Sequence, residues 1–290
     1  MKLSLIGVPF DLDEYHQGKG LAPAALLAAG LRERLAALGA QIEAIYSLDG
    51  PIPADTTEER LGLLLAALAH IVAESRAKQQ LPIILGGDCL TALGTLAGLG
   101  DSLNTNVAWI DAHGDFNTPA TTTSGYLGGM PLACATGRGL DSLRGAAGLQ
   151  PALAEQGVVL LGVRDLDPAE AALLQQTAVT VISASDIERG TGDIAGAIAL
   201  LGGAIQLYMH LDIDVLNNHD APGVDYPAPG GLTRAALDEL LGPIARLPHL
   251  AAVALTAVNP ARDSEGRTVE AALAALETVI KNVIAARPQS

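Results

Sequence analysis

Val107-Ala-Trp-Ile-Asp-Ala-His-Gly-Asp-Phe-Asn-Thr118 is the stretch on which the fold turns. Its apolar run, 107–110, reads as a buried strand that stops at Asp111, with His113 and Asp115 following at alternate positions. In extended backbone, alternate side chains share one face. A carboxylate, an imidazole and a second carboxylate are therefore expected to converge at the strand's end. Burying two carboxylates without a cation is costly. The stretch reads as a metal site; taken alone, a hydrogen-bonded, helix-capping loop is the plainer alternative.

Working outward, strands and helices alternate along the whole chain. Apolar runs at 3–8, 41–46, 81–85, 158–163, 179–182, 206–211 and 251–255 read as further strands. Helical patterns fill 23–38, 57–77, 90–99, 194–201, 233–246 and 268–285, and another starts at Pro168. The Thr-, Gly- and Pro-rich segment 119–131 is long for a plain connection, which favours a functional loop. No linker, repeat or low-complexity tract divides this order. The expectation is one domain over 1–290, α/β in class, with a mostly parallel sheet covered on both faces.

Polar clusters fall where such a sheet would bind a ligand. Gly86-Gly-Asp-Cys89, Asp111-Ala-His113-Gly-Asp115, Arg164-Asp-Leu-Asp167 and Asp212-Ile-Asp214 each follow directly after an expected strand. In open parallel sheets the site lies beyond the carboxyl ends of the strands. Asp212 and Asp214 again alternate, so their carboxylates are expected to share a face. Pooled, the clusters offer Asp111, Asp115, Asp212, Asp214 and His113, with Cys89 near. Oxygen ligands with an imidazole suit Mn²⁺, with Zn²⁺, Co²⁺ or Fe²⁺ as alternatives. Several shared carboxylates are expected to carry about two such ions roughly 3.5–4 Å apart, able to deprotonate a bridging water.

Composition narrows the classes. Hydrophobic residues make up 49% of the chain and aromatics only 3%, so the core must be built from small aliphatic side chains. A net charge of −15 argues against nucleic acid and against anionic membrane surfaces as partners. The N-terminus shows no leader pattern and no apolar run is long enough to span a bilayer, so a cytoplasmic protein is expected. Two cysteines, Cys89 and Cys134, make no disulfide framework.

These motifs, in this order and spacing, resemble the arginase (ureohydrolase) family, whose pattern is Gly-Gly-Asp-His, Asp-Ala-His-x-Asp and Asp-x-Asp. The likeness runs from Ile6-Gly-Val-Pro to Val258-Asn-Pro. The resemblance implies a three-layer α/β/α fold with an eight-stranded sheet. It also implies a dinuclear manganese centre whose bridging hydroxide attacks a guanidino or amidino carbon, releasing urea or a related product. By the same resemblance Asp111 and Asp212 bridge the ions, Asp115 serves one, and His113 and Asp214 serve the other. Asp214, with His113, carries the catalytic role of holding the nucleophile. Asn117 and Ser124 correspond to residues that bind a substrate α-carboxylate, and Asp167 to one that binds its α-amino group. Relatives are often trimers or hexamers, so a homo-oligomer is an expectation, although no stretch announces an interface.

The chain departs from the family pattern at three positions. Cys89 stands where the first histidine ligand is expected; it is either a ligand favouring softer ions than Mn²⁺ or a small buried thiol beneath the site. Gly128 replaces a histidine, and Ala257 replaces the glutamate that pairs with the guanidinium. Asp115-Phe-Asn-Thr-Pro and Gly125-Tyr-Leu-Gly-Gly-Met are similar to the branch of the family that hydrolyses N-hydroxyarginine, which also carries Cys at the histidine position. An N-hydroxyguanidine is less basic than guanidine and has less need of that glutamate.

Two other readings compete. One is a deacetylase-like hydrolase of linear amides on a related fold, against which the Asp-x-His-x-Asp order speaks. The other is a weak or non-catalytic homologue that binds metal or a guanidino metabolite. His210, two residues before Asp212, reads as a core or hydrogen-bonded supporting histidine. His16 reads as an exposed loop residue, His70 and His249 as structural, and Cys134 as packing. His219 and Tyr226 lie on the loop after Asp214, where they could shape specificity.

Overall fold

The computed structural model describes residues 1–287, and its elements alternate as the apolar pattern requires. The first half runs β1 (Lys2–Val8), a small hairpin of β2 (Phe10–Asp11) and β3 (Glu14–Tyr15), α1 (Ala22–Ala28), α2 (Leu31–Ala37) and β4 (Gln41–Ser47). It continues with α3 (Thr57–Ala77), β5 (Leu81–Gly86), α4 (Thr91–Leu99), β6 (Thr105–Ile110), α5 (Pro131–Ala135) and α6 (Asp141–Ala146). The second half runs β7 (Val158–Val163), α7 (Pro168–Leu174), β8 (Thr180–Ser183), α8 (Ala184–Glu188) and α9 (Ile194–Leu201). It closes with β9 (Gln206–Asp212), α10 (Arg234–Ala245), β10 (Leu250–Thr256) and α11 (Arg267–Ala286).

Eight strands form one sheet in the order β4-β1-β5-β10-β9-β6-β7-β8, and every pairing is parallel. Side chains alternate across it. Leu207, Met209 and Leu211 of β9 join one core with α1, α2, α9, α10 and α11. Tyr208 of β9 and Trp109 of β6 join the other with α3, α4, α5 and α6. The result is a three-layer α/β/α sandwich whose six interior strands are buried on both faces, as parallel sheets demand.

Strand order explains the site. β5, β10, β9, β6 and β7 lie side by side, although β5 ends near residue 86 and β9 near residue 212. Asp212 closes β9, and the turns after β5, β10, β6 and β7 carry Cys89, Ala257, Asp111 and Arg164, so motifs distant in sequence meet at one edge.

Three local features differ from expectation. The helix expected over 23–38 is two helices, because Gly30 takes a left-handed conformation (φ 90°) that interrupts the ladder. The hairpin of β2 and β3 and the short α8 had no periodic signal. Residues 119–131 are a loop as expected, ending in a 3₁₀ turn at Leu127–Gly129.

Candidate metal centre

The chain turns sharply where β6 ends. Trp109 Nε1 donates to Asp111 Oδ2 at 3.1 Å, and the His113 amide donates to Asp111 Oδ1 at 2.8 Å. Asp115 sits at φ 49°, so the segment is not extended throughout. Convergence of its side chains comes from a built turn, which corrects the simple alternation argument. The turn is held from two sides. The amides of Leu132 and Ala133 at the start of α5 donate to the Asp115 carbonyl at 3.0 and 3.2 Å. Glu170, buried on α7, accepts from the Phe116 amide at 2.8 Å.

The Asp-x-Asp motif is likewise a turn. Asp212 ends β9 and its Oδ1 accepts from the Asp214 amide at 2.9 Å, closing a 3₁₀ turn over Ile213–Val215. Arg164 donates to the carbonyls of Asp214 (2.7 Å), Val215 (3.0 Å) and Leu216 (3.1 Å), locking that turn. Asp214 Oδ1 accepts from the Ala112 amide at 3.3 Å. The two motifs are thereby stitched together through backbone.

His113 Nδ1 lies 3.4 Å from Asp111 Oδ1 and 3.2 Å from Asp214 Oδ2. Ligand atoms of Asp111, His113 and Asp214 fall within 4.8 Å of one another, a spacing one ion can bridge. Cys89, Asp111 and His210 form a second such group. Asp212 joins this side through Oδ2, 3.0 Å from Cys89 Sγ. Asp115 completes neither group, yet its Oδ2 is buried without a hydrogen-bond partner among the described residues. A buried carboxylate oxygen without a partner, among other buried carboxylates, fits a bound cation.

Electrostatics point the same way. Burial pushes the carboxyls of Asp111, Asp115 and Asp214 above the usual range, reinforced by Asp212 for the first and by Asp111 for the other two. Burial, then the Asp214 charge, raises Asp212 to about 8. Burial opposes charge on His113, but hydrogen bonds to Asp111 and Asp214 outweigh it and push the imidazole up to about 12. Without a cation the cluster must take up protons; a divalent ion removes that requirement. The carboxylates and imidazole fit a hard divalent ion such as Mn²⁺, and Cys89 fits it less well.

A cavity of about 490 Å³ opens above the cluster. Cys89, His113, Asp115, Asp212 and Asp214 line its floor, whereas Asp111 is almost wholly covered. Asn117, Ser124 and Asp167 line its wall. Asn117 Nδ2 donates to Asp167 Oδ2 at 3.2 Å, and the exposed Ser124 Oγ accepts from the Tyr126 amide at 3.2 Å. Gly128 and Ala257 also face this space.

His210 is fully buried, stacked on Trp109 at 3.8 Å between centroids, with Nδ1 2.8 Å from the Tyr208 hydroxyl. Burial holds it down at about 3, so it is a neutral imidazole. His16, His70 and His219 are exposed, and His249 caps the Leu201 carbonyl at 3.0 Å. Cys89 and Cys134 are both buried, free thiols.

Sequence reasoning missed Trp109 as the donor to Asp111, Arg164 as the lock on Asp214, and Lys19. The first hid inside an apolar run, and its position two residues before Asp111 is the signal that could have found it. Lys19, in a short Gly-Lys-Gly turn, carried no signal at all, because its partners Tyr126 and Asp225 come from distant loops.

The arginase family model matches residues 1–281. The arginase of Brevibacillus brevis is 33% identical, across 96% of this chain and 97% of its own length. That of Bacillus caldovelox is 34% identical, across 94% of this chain and 95% of its own. Among solved structures, Bacillus cereus arginase superposes with a TM-score of 0.86 at 32% identity, covering 97% of this chain and 98% of its own. With the fold and the strand-end motifs in agreement over the same span, this chain belongs to the arginase family.

Proposed function

We propose that the chain works as one unit, a metal-dependent hydrolase that cleaves a guanidino or amidino C–N bond of a small arginine-like molecule, giving urea or a related product. The observation that carries this reading is the buried cluster of Asp111, His113, Asp115, Asp212 and Asp214 under a cavity, with the Asp115 Oδ2 unpaired among the described residues. Its likeness to arginases supports the reaction type.

Two Mn²⁺ per chain are the cofactor we assign. When bound, such ions supply Lewis acidity and bring the pKa of a water near neutrality. Asp111 and Asp212 would be shared between the two ions, Asp115 would serve the ion on the Cys89 side, and His113 and Asp214 would serve the other. Asp214 is fixed by Ala112, Arg164 and His113, so its free lone pairs can orient the attacking water. Asn117 and Ser124 are suited to a substrate α-carboxylate, and Asp167 to its α-amino group, since all three line the cavity wall. With Ala257 in place of a glutamate, a guanidinium lacks a charge-assisted partner worth about 1.5–3 kcal/mol. A less basic head such as N-hydroxyguanidine loses less.

A second reading, a homologue that binds a guanidino metabolite without turnover, is favoured by one observation. The Tyr126 ring occupies the space beside Gly128 where a histidine would stand. The test is release of urea, hydroxyurea or amine from arginine, N-hydroxyarginine, agmatine and guanidinobutyrate by Mn²⁺-loaded protein. Turnover of one of them is expected; tight binding with no product from any supports the second reading.

A further inference from the structure

Lys19 is a buried cation at the mouth of this site. Its side chain is 5% exposed and lines the cavity with Tyr126, Gly128 and Ala257. Burying an ammonium is costly unless it is paired. Asp11 at 3.1 Å and Asp225 at 3.9 Å supply that pairing. Nζ also lies 5.4 and 5.5 Å from the ring centroids of Tyr126 and Tyr226. Burial works against the charge, but Tyr126, Asp88 and Asp11 more than offset it, so the ammonium stays protonated.

Its most specific contact is to Tyr126: Nζ donates to the phenol oxygen at 2.8 Å. An ammonium has no lone pair, so the phenol can only accept here. The phenol's own hydrogen is then left to donate elsewhere, and among the described residues it has no protein acceptor. Burial keeps this phenol protonated. The hydroxyl lies within 2.6 Å of where a Cβ on Gly128 would sit, so Gly128 is what lets the ring occupy this place.

Two other wall acids near this pair, Asp88 and Asp225, are already engaged. Asp88 accepts from the amides of Leu12 (2.6 Å) and Leu90 (2.8 Å). Asp225 is held by Asn259 at 2.7 Å and Arg262 at 2.6 Å besides Lys19. A guanidinium presents five N–H donors and no acceptor. It therefore offers nothing to the Tyr126 O–H, meets the Lys19 charge, and finds no uncommitted carboxylate at Ala257.

We propose that Lys19 and Tyr126 are the specificity-determining pair of this site, reading the reacting end of the substrate through the Tyr126 O–H. They select an amidino head that carries a lone-pair acceptor over a cationic guanidinium. This rests on the hydrolase reading for the identity of the amidino class, but not for the direction of the selection.

The test is calorimetric titration of Mn²⁺-loaded protein with N-hydroxyarginine and with arginine, for wild type, Tyr126→Phe and Lys19→Met. The wild type is expected to bind the hydroxylated head at least about tenfold more tightly. Tyr126→Phe, which keeps the ring against Gly128, is expected to remove most of that preference while metal content and arginine binding stay within about twofold. Lys19→Met is expected to narrow the preference in the same direction if it folds; Tyr126→Phe decides the matter if it does not. A wild type without preference, or a preference untouched by Tyr126→Phe, overturns the proposal. Product release is followed on the same samples. Selection without product sinks only the hydrolase reading, product without selection sinks only this pair, and binding of neither compound sinks both.

Discussion

Cys89 Sγ lies 3.0 Å from Oδ2 of Asp212, the carboxylate that ends the neighbouring strand but one. The thiol is buried, and burial followed by the charges of Asp212, Asp115 and Asp111 pushes it well above the ordinary thiol range. In the metal-free protein it is a neutral S–H donating to Asp212. An ion on this side must displace that hydrogen bond and either take a deprotonated sulfur or do without it. A hard ion gains least from the exchange.

Replacing Cys89 with histidine is therefore expected to tighten binding of the weaker Mn²⁺ by roughly tenfold or more. Titration against a competing chelator measures it. An unchanged affinity would mean that Cys89 is packing rather than part of the coordination sphere.

Removal of metal should change how stability depends on pH. Asp212, raised to about 8, stays protonated in the folded protein while the unfolded chain ionises from about 3.9. The folded state holds more protons over that window, so its stability falls as pH rises through it. His113, raised to about 12, adds a loss in the same direction above about 6.5. The melting temperature of metal-free protein is expected to fall from about pH 4 to 8, and the increment given by Mn²⁺ to grow. Thermal melts with and without Mn²⁺ at a series of pH values check this; a metal-free protein that becomes steadily more stable over that range contradicts it.

Trp109→Phe is expected to weaken Mn²⁺ binding by roughly tenfold. The substitution leaves Asp111 Oδ2 without the 3.1 Å indole donor that aims it. A chelator titration that cannot distinguish the variant from wild type would remove Trp109 from the account of the site.

Gly87→Ala should destabilise the fold by roughly 3 kcal/mol. A Cβ there would come within 1.9 Å of the Phe10 carbonyl oxygen and 3.1 Å of the Gly20 amide nitrogen, both backbone atoms with little freedom to retreat. Urea unfolding reads the loss directly, and a midpoint close to wild type would show that the loop after β1 yields.

Much of this was legible in the sequence because parallel strands buried on both faces are written as continuous apolar runs, and four of those runs ended in a polar motif. Val107 to Ile110 followed by Asp111 is the clearest case, and β5, β7 and β9 repeat it. What escaped was backbone that leaves the regular periods. Gly30 broke a helix whose apolar pattern continued straight through it, and Asp115 reached the site through a left-handed turn rather than a strand. Lys19 and Tyr126 were invisible for another reason: 107 residues separate them, and neither has meaning without the other. Gly128 and Ala257 read as losses in the sequence. In the structure, the space beside Gly128 is taken by the Tyr126 phenol.

On the proposed function, this cluster holds about two divalent ions and uses them for hydrolysis. The most direct measurement starts from metal-free protein, adds Mn²⁺ stepwise, and follows urea-type product from N-hydroxyarginine alongside bound metal. Product formation that is absent at first and levels off near two ions per chain is the expected result. Full activity without metal, or no product at any loading of a folded protein, would contradict it.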